Sequence, residues 1–352
     1  MRRKTKEVKV GNIGIGGANP IRVQSMTSTK TTDIESTLKQ IERLIKEDCE
    51  IIRIAIPDTK SLKAFKEIRK FTDKPLVADI HFNYRLAIKA LEAGADKIRI
   101  NPGNIGDPSR VKEIIAALKL HSRAVRIGVN SGSLEEDLIT KYGGVTAEAL
   151  VESAIRWVDF FSNEGFDNIV VSVKSSSALE TIHAYKMLSE KIDFPLHIGV
   201  TEAGPLIPGT VKSSIAIGYL LLAGIGDTIR VSLSEDPVLE VKVAWEILKS
   251  LNLRYNGPVI ISCPTCARTR INLIDLVKKV EDAISDIKIP VKIAIMGCEV
   301  NGPGEARDAD IGVAAGPGKG VIFRKGQVIK SVRESDLIEE LLNEIRKLKE
   351  GR

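Results

Sequence analysis

The sequence predicts an α/β protein that consists of an N-terminal (β/α)₈ TIM barrel followed by a smaller α+β domain. From about residue 20 to about residue 235, short β-branched runs alternate with longer segments of helical period, as in the repeated βα units of a parallel sheet. Eight such units in somewhat over 200 residues are typical of a closed barrel. A doubly wound open sheet is the alternative, although it usually has fewer strands. After RYNGP at 254–258 the alternation changes, which indicates a second domain.

The barrel elements follow in order along the chain. The eight predicted strands lie in IRVQSM, CEIIRIAIP, PLVADIHF, DKIRINPG, RAVRIGVNSG, NIVVSVKSS, PLHIGVTEAG and DTIRVSLS. Candidate helices lie between them, and several end at a glycine or an acidic-glycine turn, as helix C-termini often do. Cys49, at the end of one helical segment, is interpreted as a small core residue. The glycine-rich stretches GNIGIGGAN and GPGKG are interpreted as turns, because no helix follows them as a phosphate loop requires.

The predicted domains are residues 1–252, a substrate-binding barrel, and residues 253–352, a smaller domain that carries three of the four cysteines. The smaller domain begins with the strand PVIIS and continues with a helix from Leu273 to Ile284. A strand VKIAIMG, a strand pair around DIGVAAG and GVIFRKGQVIKSV, and a final helix SDLIEELLNEIRKLKEG complete it. Its cysteines therefore fall just beyond the ends of strands.

Composition limits the classes of protein that the chain can belong to. Hydrophobic residues make up 43% and charged residues 28%, which is ordinary for a globular protein. The basic start lacks the apolar stretch of a secretory signal, and no run is long enough to span a membrane, so a cytoplasmic protein is expected. Four cysteines are too few for a disulfide scaffold in a chain of 352 residues, so the CxxC pattern indicates a metal or redox site.

Four predicted strands carry an arginine between two β-branched residues, and a fifth carries a lysine in a similar place. Barrel strands alternate between the interior and the helix layer, so a cation between outward-packing Ile or Val side chains should point inward. Buried cations at these positions would repel one another and lose hydration unless anions neutralise them. The residues favour a site for a compact polyanion. The five cations are Arg53, Arg99, Arg126, Lys174 and Arg230.

An alternative is that local carboxylates, such as Asp79 or Glu202, satisfy each cation. The formal charge of +6 also raises the question of a nucleic-acid partner. A duplex-binding protein would spread its cations over an outer face, whereas these converge, so nucleic-acid binding is disfavoured. Further polar candidates follow the strands at their carboxyl ends, where TIM-barrel active sites lie. They are Gln24, Ser25, Met26, Thr27, Asp79, His81, Asn101, Asn130, Ser175, His197, Thr201, Glu202 and Ser232.

Cys263, Cys266 and Cys298 form a constellation that predicts a metal site. CxxC places two thiolates on one turn, and a third comes from a neighbouring strand end. Zinc would need a fourth Cys or a His, and the second domain has no histidine. The acidic candidates for the fourth ligand are Glu299, Glu305, Asp308 and Asp310. The glycine-proline turn in NGPGE lets Glu305 approach as a carboxylate ligand, which favours a catalytic iron–sulfur cluster. Zinc and the absence of any metal stay open on this reasoning.

The motifs ISCPTCART, MGCEVNGPGEARDADIG, VQSMT, VADIHF, RINPGN, RIGVNSGS and LHIGVTEAG closely resemble those of the 4-hydroxy-3-methylbut-2-enyl diphosphate synthase family. The resemblance runs from about residue 8 to about residue 325. It implies a barrel similar to dihydropteroate synthase and a C-terminal domain of the sulfite/nitrite reductase type that holds a [4Fe-4S] cluster. It further implies homodimers in which the cluster domain of one chain covers the barrel mouth of the other. The electron donor would be flavodoxin or ferredoxin.

The same resemblance implies roles for individual residues. The substrate would be 2-C-methyl-D-erythritol 2,4-cyclodiphosphate, reduced and dehydrated to (E)-4-hydroxy-3-methylbut-2-enyl diphosphate in the methylerythritol phosphate route to isoprenoids. Glu202 is our candidate for the acid that protonates the departing hydroxyl. The cluster ligands implied by motif are Cys263, Cys266, Cys298 and Glu305. The substrate-binding residues so implied are Arg53, His81, Arg99, Asn101, Arg126, Asn130, Lys174, Thr201, Arg230 and Ser232.

Two other classes of function remain as alternatives to this one. An iron–sulfur electron-transfer or scaffold protein without its own substrate would not need convergent arginines inside the barrel. A zinc-stabilised nucleic-acid binder would bind in a manner strongly dependent on salt and on zinc.

Overall fold

The computed structural model describes residues 1–298 and 306–350. The chain divides into two compact units, Met1–Arg254 and Tyr255–Arg352. In the first unit, eight parallel strands form one sheet, and a backbone bridge between Val171 and Leu196 joins its two ends into a nearly closed barrel. The predicted barrel is therefore confirmed. All eight predicted strand segments contribute a strand.

The first unit contains ten strands, of which the first two form an antiparallel hairpin. The strands are β1 (Val8–Val10), β2 (Ile13–Ile15), β3 (Arg22–Met26), β4 (Ile51–Ala55), β5 (Leu76–Asp79), β6 (Lys97–Ile100), β7 (Ala124–Asn130), β8 (Ile169–Lys174), β9 (His197–Ile198) and β10 (Thr228–Ile229). The helices are α1 (Ile34–Lys46), α2 (Thr59–Ile68), α3 (Tyr84–Glu92), α4 (Pro102–Ile105), α5 (Pro108–Leu120), α6 (Glu136–Tyr142), α7 (Ala147–Asn163), α8 (Ala178–Lys191), α9 (Leu206–Leu222) and α10 (Pro237–Ser250).

The barrel helices begin where side chains can satisfy their free N–H groups. Asp33 accepts a hydrogen bond from the N–H of Ser36 at the start of α1, and Asp58 does the same for Ser61 in α2. The apolar faces of the helices then pack against the outward side chains of the strands in one continuous core. This outer core fixes the orientation of every strand, and therefore leaves the alternate side chains pointing into the barrel.

The hairpin of β1 and β2 closes the lower end of the barrel. Val8, Val10 and Ile15 are fully buried, and they form an apolar cluster with inward residues of four barrel strands, namely Ile51, Val77, Ala124 and Val170. We call this cluster the barrel floor. It separates the barrel interior from solvent at the amino ends of the strands.

The hairpin corrects one expectation from the sequence. GNIGIGGAN is not only a turn, because Ile13–Ile15 pairs in register with Val8–Val10. Cys49 is fully buried, as expected, but it lies in the link between α1 and β4 instead of inside a helix. GPGKG is a turn, as expected, between two strands of the second unit.

In its described residues, the second unit is a five-stranded sheet with two α-helices. Its first three strands are parallel and its last two are antiparallel. GVIFRKGQVIKSV was expected to supply one strand and supplies two, joined at Lys325 and Gly326, which both have positive φ. The strands are β11 (Val259–Ser262), β12 (Lys292–Met296), β13 (Ile311–Gly316), β14 (Lys319–Arg324) and β15 (Gln327–Arg333), and the helices are α11 (Leu273–Ala283) and α12 (Leu337–Glu350).

Strand β12 divides the core of the second unit by its alternation. Ile293 and Ile295 face the cluster formed with α11 and α12, whereas Ala294 and Met296 face a second cluster that includes Ala306. Over the described ranges 1–298 and 306–350, no helix is long and apolar enough to cross a membrane.

Candidate active site in the barrel and cysteine site in the second unit

The five predicted cations all point into the barrel. The Cα atoms of Asp79, Arg99 and Arg126 are paired across β5, β6 and β7, so these side chains stand side by side on the inner wall. Lys174 ends β8, and Arg230 directly follows β10. The side chains of Arg99 and Arg126 are almost fully buried. The alternation of branched and charged residues therefore predicted the direction of these side chains correctly.

Asp79 is the carboxylate around which two of these cations and His81 gather. Its oxygens lie 3.4 Å from Nη1 of Arg99, 4.0 Å from Nε of Arg53 and 3.2 Å from Nε2 of His81. Burial alone would raise the pKa of Asp79, but Arg53, His81 and Arg99 together lower it below its usual range. Asp79 is therefore an anion that holds the cationic wall in place.

Glu240 is a second buried carboxylate, and the sequence analysis did not identify it. It lies in α10, where Oε1 accepts from Nη2 of Arg230 at 3.0 Å and from the N–H of Leu233 at 3.0 Å, while Oε2 accepts from Ser25 Oγ at 2.8 Å. The alternative that local carboxylates satisfy the cations is thus correct only in part for Arg53, Arg99 and Arg230, since Nε of Arg230 is buried without a partner in the described residues. Of the two carboxylates that the sequence analysis suggested as partners, Asp79 and Glu202, the second is wrong, because Glu202 is exposed.

Arg126 is not satisfied in this way. Its Nε and Nη1 are buried and have no hydrogen-bond partner among the described residues, and the same holds for Nε of Arg99. Burial, followed by the neighbouring Arg53 and Arg99, lowers the pKa of Arg126. Burial lowers the pKa of Arg53 to about 10 and also lowers that of Lys174, which in addition faces Arg126. An anion placed among these groups would supply the missing partners.

Two glycines make room for this arrangement. A Cβ at Gly128 would lie 2.9 Å from Nε of Arg99, and a Cβ at Gly199 would lie 3.0 Å from Nζ of Lys174 and 2.2 Å from a backbone oxygen. Gly199 also has φ of +154°. The absence of side chains at these inward positions allows the long cations to lie in the interior.

The remaining predicted residues lie around the carboxyl end of the barrel. His81 is about half exposed beside Asp79. The amide of Asn101 donates to Ser133 and accepts from the N–H of Gly103, and Asn130 accepts from the hydroxyl of the same Ser133. Asn101 and Asn130 therefore share one serine, which connects two loops of the mouth.

Three more predicted residues follow β9 and β10. The N–H of Thr201 donates to the backbone oxygen of Ser175 at 3.1 Å, and Ser232 is half-buried. Glu202 is exposed and has φ of 51°, a left-handed conformation that non-glycine residues rarely adopt outside functional or strained turns.

Three further inward polar residues are buried, of which the sequence analysis named Gln24 and His197 as candidates and missed Lys97. The amide of Gln24, the amine of Lys97 and Nε2 of His197 have no hydrogen-bond partner in the described part of the chain. Lys97 lies two residues before Arg99 on β6, so the same alternation that identified Arg99 also predicts Lys97 to point inward.

The cysteines of the second unit lie at the carboxyl ends of two neighbouring parallel strands. Cys263 follows β11 directly and Cys298 lies two residues after β12. The N–H of Gly297 donates to Sγ of Cys263 at 3.3 Å, and Cys266 is exposed on the next turn, where its N–H donates to Thr269 Oγ1. Glu305 lies outside the described residues. Within those residues, no three His, Cys, Asp or Glu side chains are grouped closely enough to hold a metal ion.

Fold and site together define a TIM-barrel protein whose interior is lined with cations towards the carboxyl ends of its strands. The chain belongs to the GcpE family: residues 5–245 match the family model described as GcpE TIM-barrel domain, and residues 259–347 match GcpE protein C-terminal domain. A comparison with solved structures also finds the barrel fold. The dihydropteroate synthase of Yersinia pestis matches with a TM-score of 0.50 and 12% identity over 70% of this chain and 98% of that chain.

Relatives of high identity over nearly the whole chain carry names that state an enzymatic activity. A protein of Caldanaerobacter subterraneus subsp. tengcongensis is 57% identical over 99% of this chain and 98% of its own length. One of Lawsonia intracellularis is 56% identical over 99% and 97%. Both are named 4-hydroxy-3-methylbut-2-en-1-yl diphosphate synthase (flavodoxin). The function and enzyme class predicted from the sequence, those of this synthase family, are confirmed.

Asp79→Asn tests whether the carboxylate holds the cationic wall. The variant should lose about 3–5 kcal/mol of unfolding free energy at neutral pH, because buried cations lose their counter-charge. Since the pKa of Asp79 is lower in the folded than in the unfolded protein, its contribution is present above the unfolded value of about 4 and is lost as pH falls further. Denaturant titrations from neutral to acidic pH measure the difference, which should shrink in acid.

Asp193→Asn is the control for this measurement, because Asp193 is an exposed carboxylate that faces Lys6. Its effect should stay within about 0.5 kcal/mol. An Asp79→Asn effect as small as that of the control would contradict the role of Asp79 as the counter-charge.

Proposed function

We propose that this protein reduces and dehydrates 2-C-methyl-D-erythritol 2,4-cyclodiphosphate to (E)-4-hydroxy-3-methylbut-2-enyl diphosphate in the methylerythritol phosphate route to isoprenoids. The observation that carries the proposal is the excess of buried cations in the barrel, where Arg126 has two nitrogens without a described partner. A compact cyclic diphosphate supplies negative charge from two adjacent phosphoryl groups. It therefore suits a narrow, cation-lined interior better than an extended polymer does.

The diphosphate is bound by the inward cations. Arg126 and Arg99 offer unpartnered N–H groups, and guanidinium forks match phosphoryl oxygens in pairs. Lys174 adds a point charge at the carboxyl end of β8. Arg53 and Arg230 are already oriented by Asp79 and Glu240, so they face the ligand at little cost in conformational entropy.

The groups at the mouth position the rest of the substrate. Asn101 and Asn130 are held by Ser133 and so define one side of the entrance. His81 is oriented by Asp79, while Thr201 and Ser232 offer hydroxyl groups on the opposite side. In this proposal these five residues bind and orient the ring and its hydroxyl groups.

Glu202 is the proposed acid. The reaction breaks one carbon–oxygen bond of the ring and releases a hydroxyl group as water, so a proton must reach that hydroxyl oxygen. Glu202 lies just beyond β9, and its left-handed backbone places it on an exposed turn at the carboxyl end of the barrel. An exposed carboxyl can recover its proton from solvent after each turnover.

The second unit would hold a [4Fe-4S] cluster through Cys263, Cys266, Cys298 and Glu305. The donor set fits: three thiols lie at or near adjacent strand ends, and the backbone N–H of Gly297 already donates to one sulfur, as N–H groups do to cluster thiolates. Ala306, the residue after Glu305, packs in the same apolar cluster as Cys263. When bound, such a cluster supplies the two electrons that the reaction requires. We further propose that this unit is of the sulfite/nitrite reductase type.

Flavodoxin is the proposed electron donor, with ferredoxin as the other candidate. The names of both relatives include flavodoxin. We also propose a homodimer in which the cluster domain of one chain covers the barrel mouth of the other. Helix α9 supports an association between chains, because five large apolar side chains spaced by three or four residues are exposed along it. They are Ile207, Val211, Ile215, Tyr219 and Leu222.

Anaerobic purification with iron, sulfide and zinc analysis and electron paramagnetic resonance tests the cofactor. We expect about four irons and four sulfides per chain. Glu305→Ala should give a cluster that is lost easily or becomes a three-iron form, because one ligand is missing, while Glu334→Ala, a surface carboxylate of the same unit, should leave the iron content unchanged. Stoichiometric zinc without iron in the unmodified protein would exclude the proposed chemistry.

Arg126→Met tests the anion site. Loss of charge-assisted hydrogen bonds worth about 1.5–3 kcal/mol should lower kcat/KM roughly 10- to 100-fold for the cyclic diphosphate. Iron content and the resonance spectrum should not change. The control is Arg156→Met on α7, an arginine that pairs with surface carboxylates. Unchanged KM and kcat in Arg126→Met would remove Arg126 from the site and favour an electron-transfer protein without its own substrate.

Complementation between two impaired chains, assayed at a substrate concentration well below KM, tests the composite site. One chain carries Arg126→Met in the barrel, and the other carries Cys298→Ser in the second unit. Mixed dimers then contain one intact barrel facing one intact cluster domain, so co-refolding or co-expression should recover about a quarter of the wild-type activity. If each site is built within one chain, mixing restores nothing.

Ile215→Asp tests whether the apolar face of α9 is the surface that joins the chains. The new charge should shift the protein towards the monomer in sedimentation equilibrium. Leu120→Asp, at an exposed leucine at the end of α5, is the matched control and should leave the dimer intact. A dimer of undiminished affinity in Ile215→Asp would place the interface elsewhere.

A further inference from the structure

Lys97 is the most deeply buried cation in the first unit. Its relative exposure is 0%, and its Nζ has no hydrogen-bond partner among the residues that the structure describes. Its Cα is paired across the sheet with those of Val77 and Ala124, which belong to the barrel floor. The lysine stem therefore begins at the level of the floor, and the amine lies below the arginines of the anion site.

The surroundings of Lys97 are predominantly cationic. Arg53 and Arg126 act on it directly, and burial together with these two charges lowers the pKa of Lys97 to about 7. Asp79, the carboxylate that faces Arg53 and Arg99, is already shared by these two arginines and His81. The charged and titratable groups that face the interior from the surrounding strands are Arg53, Asp79, Arg99, Arg126, Lys174, His197 and Arg230.

We propose that Lys97 is a conditional cation beneath the anion site, neutral while the barrel is empty and protonated when a polyanion lies among the arginines above it. Binding then takes one proton from solvent, and the amine becomes an ammonium group that offsets part of the ligand's charge. Lys97 acts through the field and orientation of Arg53 and Arg126, so it is a positioning residue. The proposal rests on the proposed function only for the identity of the polyanion.

The ligand itself does not obscure this proton. Both ionisable groups of a cyclic diphosphate are phosphodiester-like and remain ionised at neutral pH. His197 also faces the interior, but burial and the nearby Lys174 lower its pKa below the ordinary value of 6.5. The comparison with Lys97→Met separates proton uptake at Lys97 from uptake at the other groups that face the ligand, such as Lys174 and His81.

Calorimetric titration of the anaerobic, unreduced holoenzyme with the cyclic diphosphate, in several buffers of different ionisation enthalpy at about pH 8, counts the protons taken up. Wild type should take up about one proton more than Lys97→Met. From pH 7 upward, wild-type affinity should fall by up to roughly tenfold per pH unit, with a shallower fall in Lys97→Met. Lys97→Arg should resemble Lys97→Met in its proton count, because arginine stays charged. Lys9→Met, an exposed lysine on β1, should behave as wild type.

Thermal unfolding between pH 7 and pH 10 tests the empty state without any ligand. A lysine with a lower pKa in the folded protein makes the folded state bind fewer protons, so wild-type stability should rise with pH across this range relative to Lys97→Met. Equal proton uptake in wild type and Lys97→Met, or a stability difference that does not depend on pH, would overturn the inference. Failure of wild type to bind the cyclic diphosphate would instead overturn the proposed function, while the unfolding comparison still decides the state of Lys97.

Discussion

The structure of the barrel depends on one electrostatic constraint, the confinement of more cations than carboxylates in a space with little water. Cations at low dielectric repel each other and lose hydration, so each must have a counter-charge or be relieved by a ligand. Asp79 and Glu240 supply the counter-charges, and Gly128 and Gly199 leave the space that the long side chains occupy. What these groups do not offset is available to an anion. The interior cations of the empty barrel are Arg53, Arg99, Arg126, Lys174 and Arg230.

The barrel floor closes the charged interior at one end, so that the cations are accessible only from the other. Val8, Val10 and Ile15 fill the amino end of the barrel with apolar side chains, so water does not reach the cations from below. Ligand and solvent enter from the carboxyl ends of the strands, where loops carry Asn101, Asn130 and Ser133. The hairpin is far from these cations in sequence, but it maintains the low dielectric that strengthens every charge interaction in the interior.

Much of this arrangement could be predicted from the sequence, because strand alternation is a local rule. An arginine between two branched residues points inward wherever the outer face is covered, which correctly identified Arg53, Arg99 and Arg126. The same rule applies to Lys97, two residues before Arg99, but a search for strand-end residues passes over it. Lys325-Gly326 was likewise a readable hairpin signal, since both residues take positive φ in a two-residue turn. The thiols at the strand ends of the second unit also follow from local pattern.

Other features could not be predicted from local patterns. Glu240 lies on a helix whose sequence reads as an ordinary amphipathic segment, and only the packing of α10 against β3 brings it to Arg230 and Ser25. Glu202 looked like a possible counter-charge because it follows a strand, but the turn after β9 leaves it exposed. Tertiary contacts, not residue type, decide which carboxylate meets a cation. For that reason the set of cations was easier to predict than the partners that orient them.

A surplus of interior cations also suits the direction of the proposed reaction. Opening the cyclic diphosphate converts an internal ester into a free terminal diphosphate, so negative charge increases as the carbon–oxygen bond breaks and electrons arrive. Groups that stabilise charge as it develops bind the transition state more strongly than the substrate, and this difference accelerates the reaction. Cations that were fully neutralised by carboxylates would bind both states equally. In the proposed reaction, the unpartnered nitrogens of Arg126 and Arg99 would therefore stabilise the transition state of ring opening more than the bound substrate.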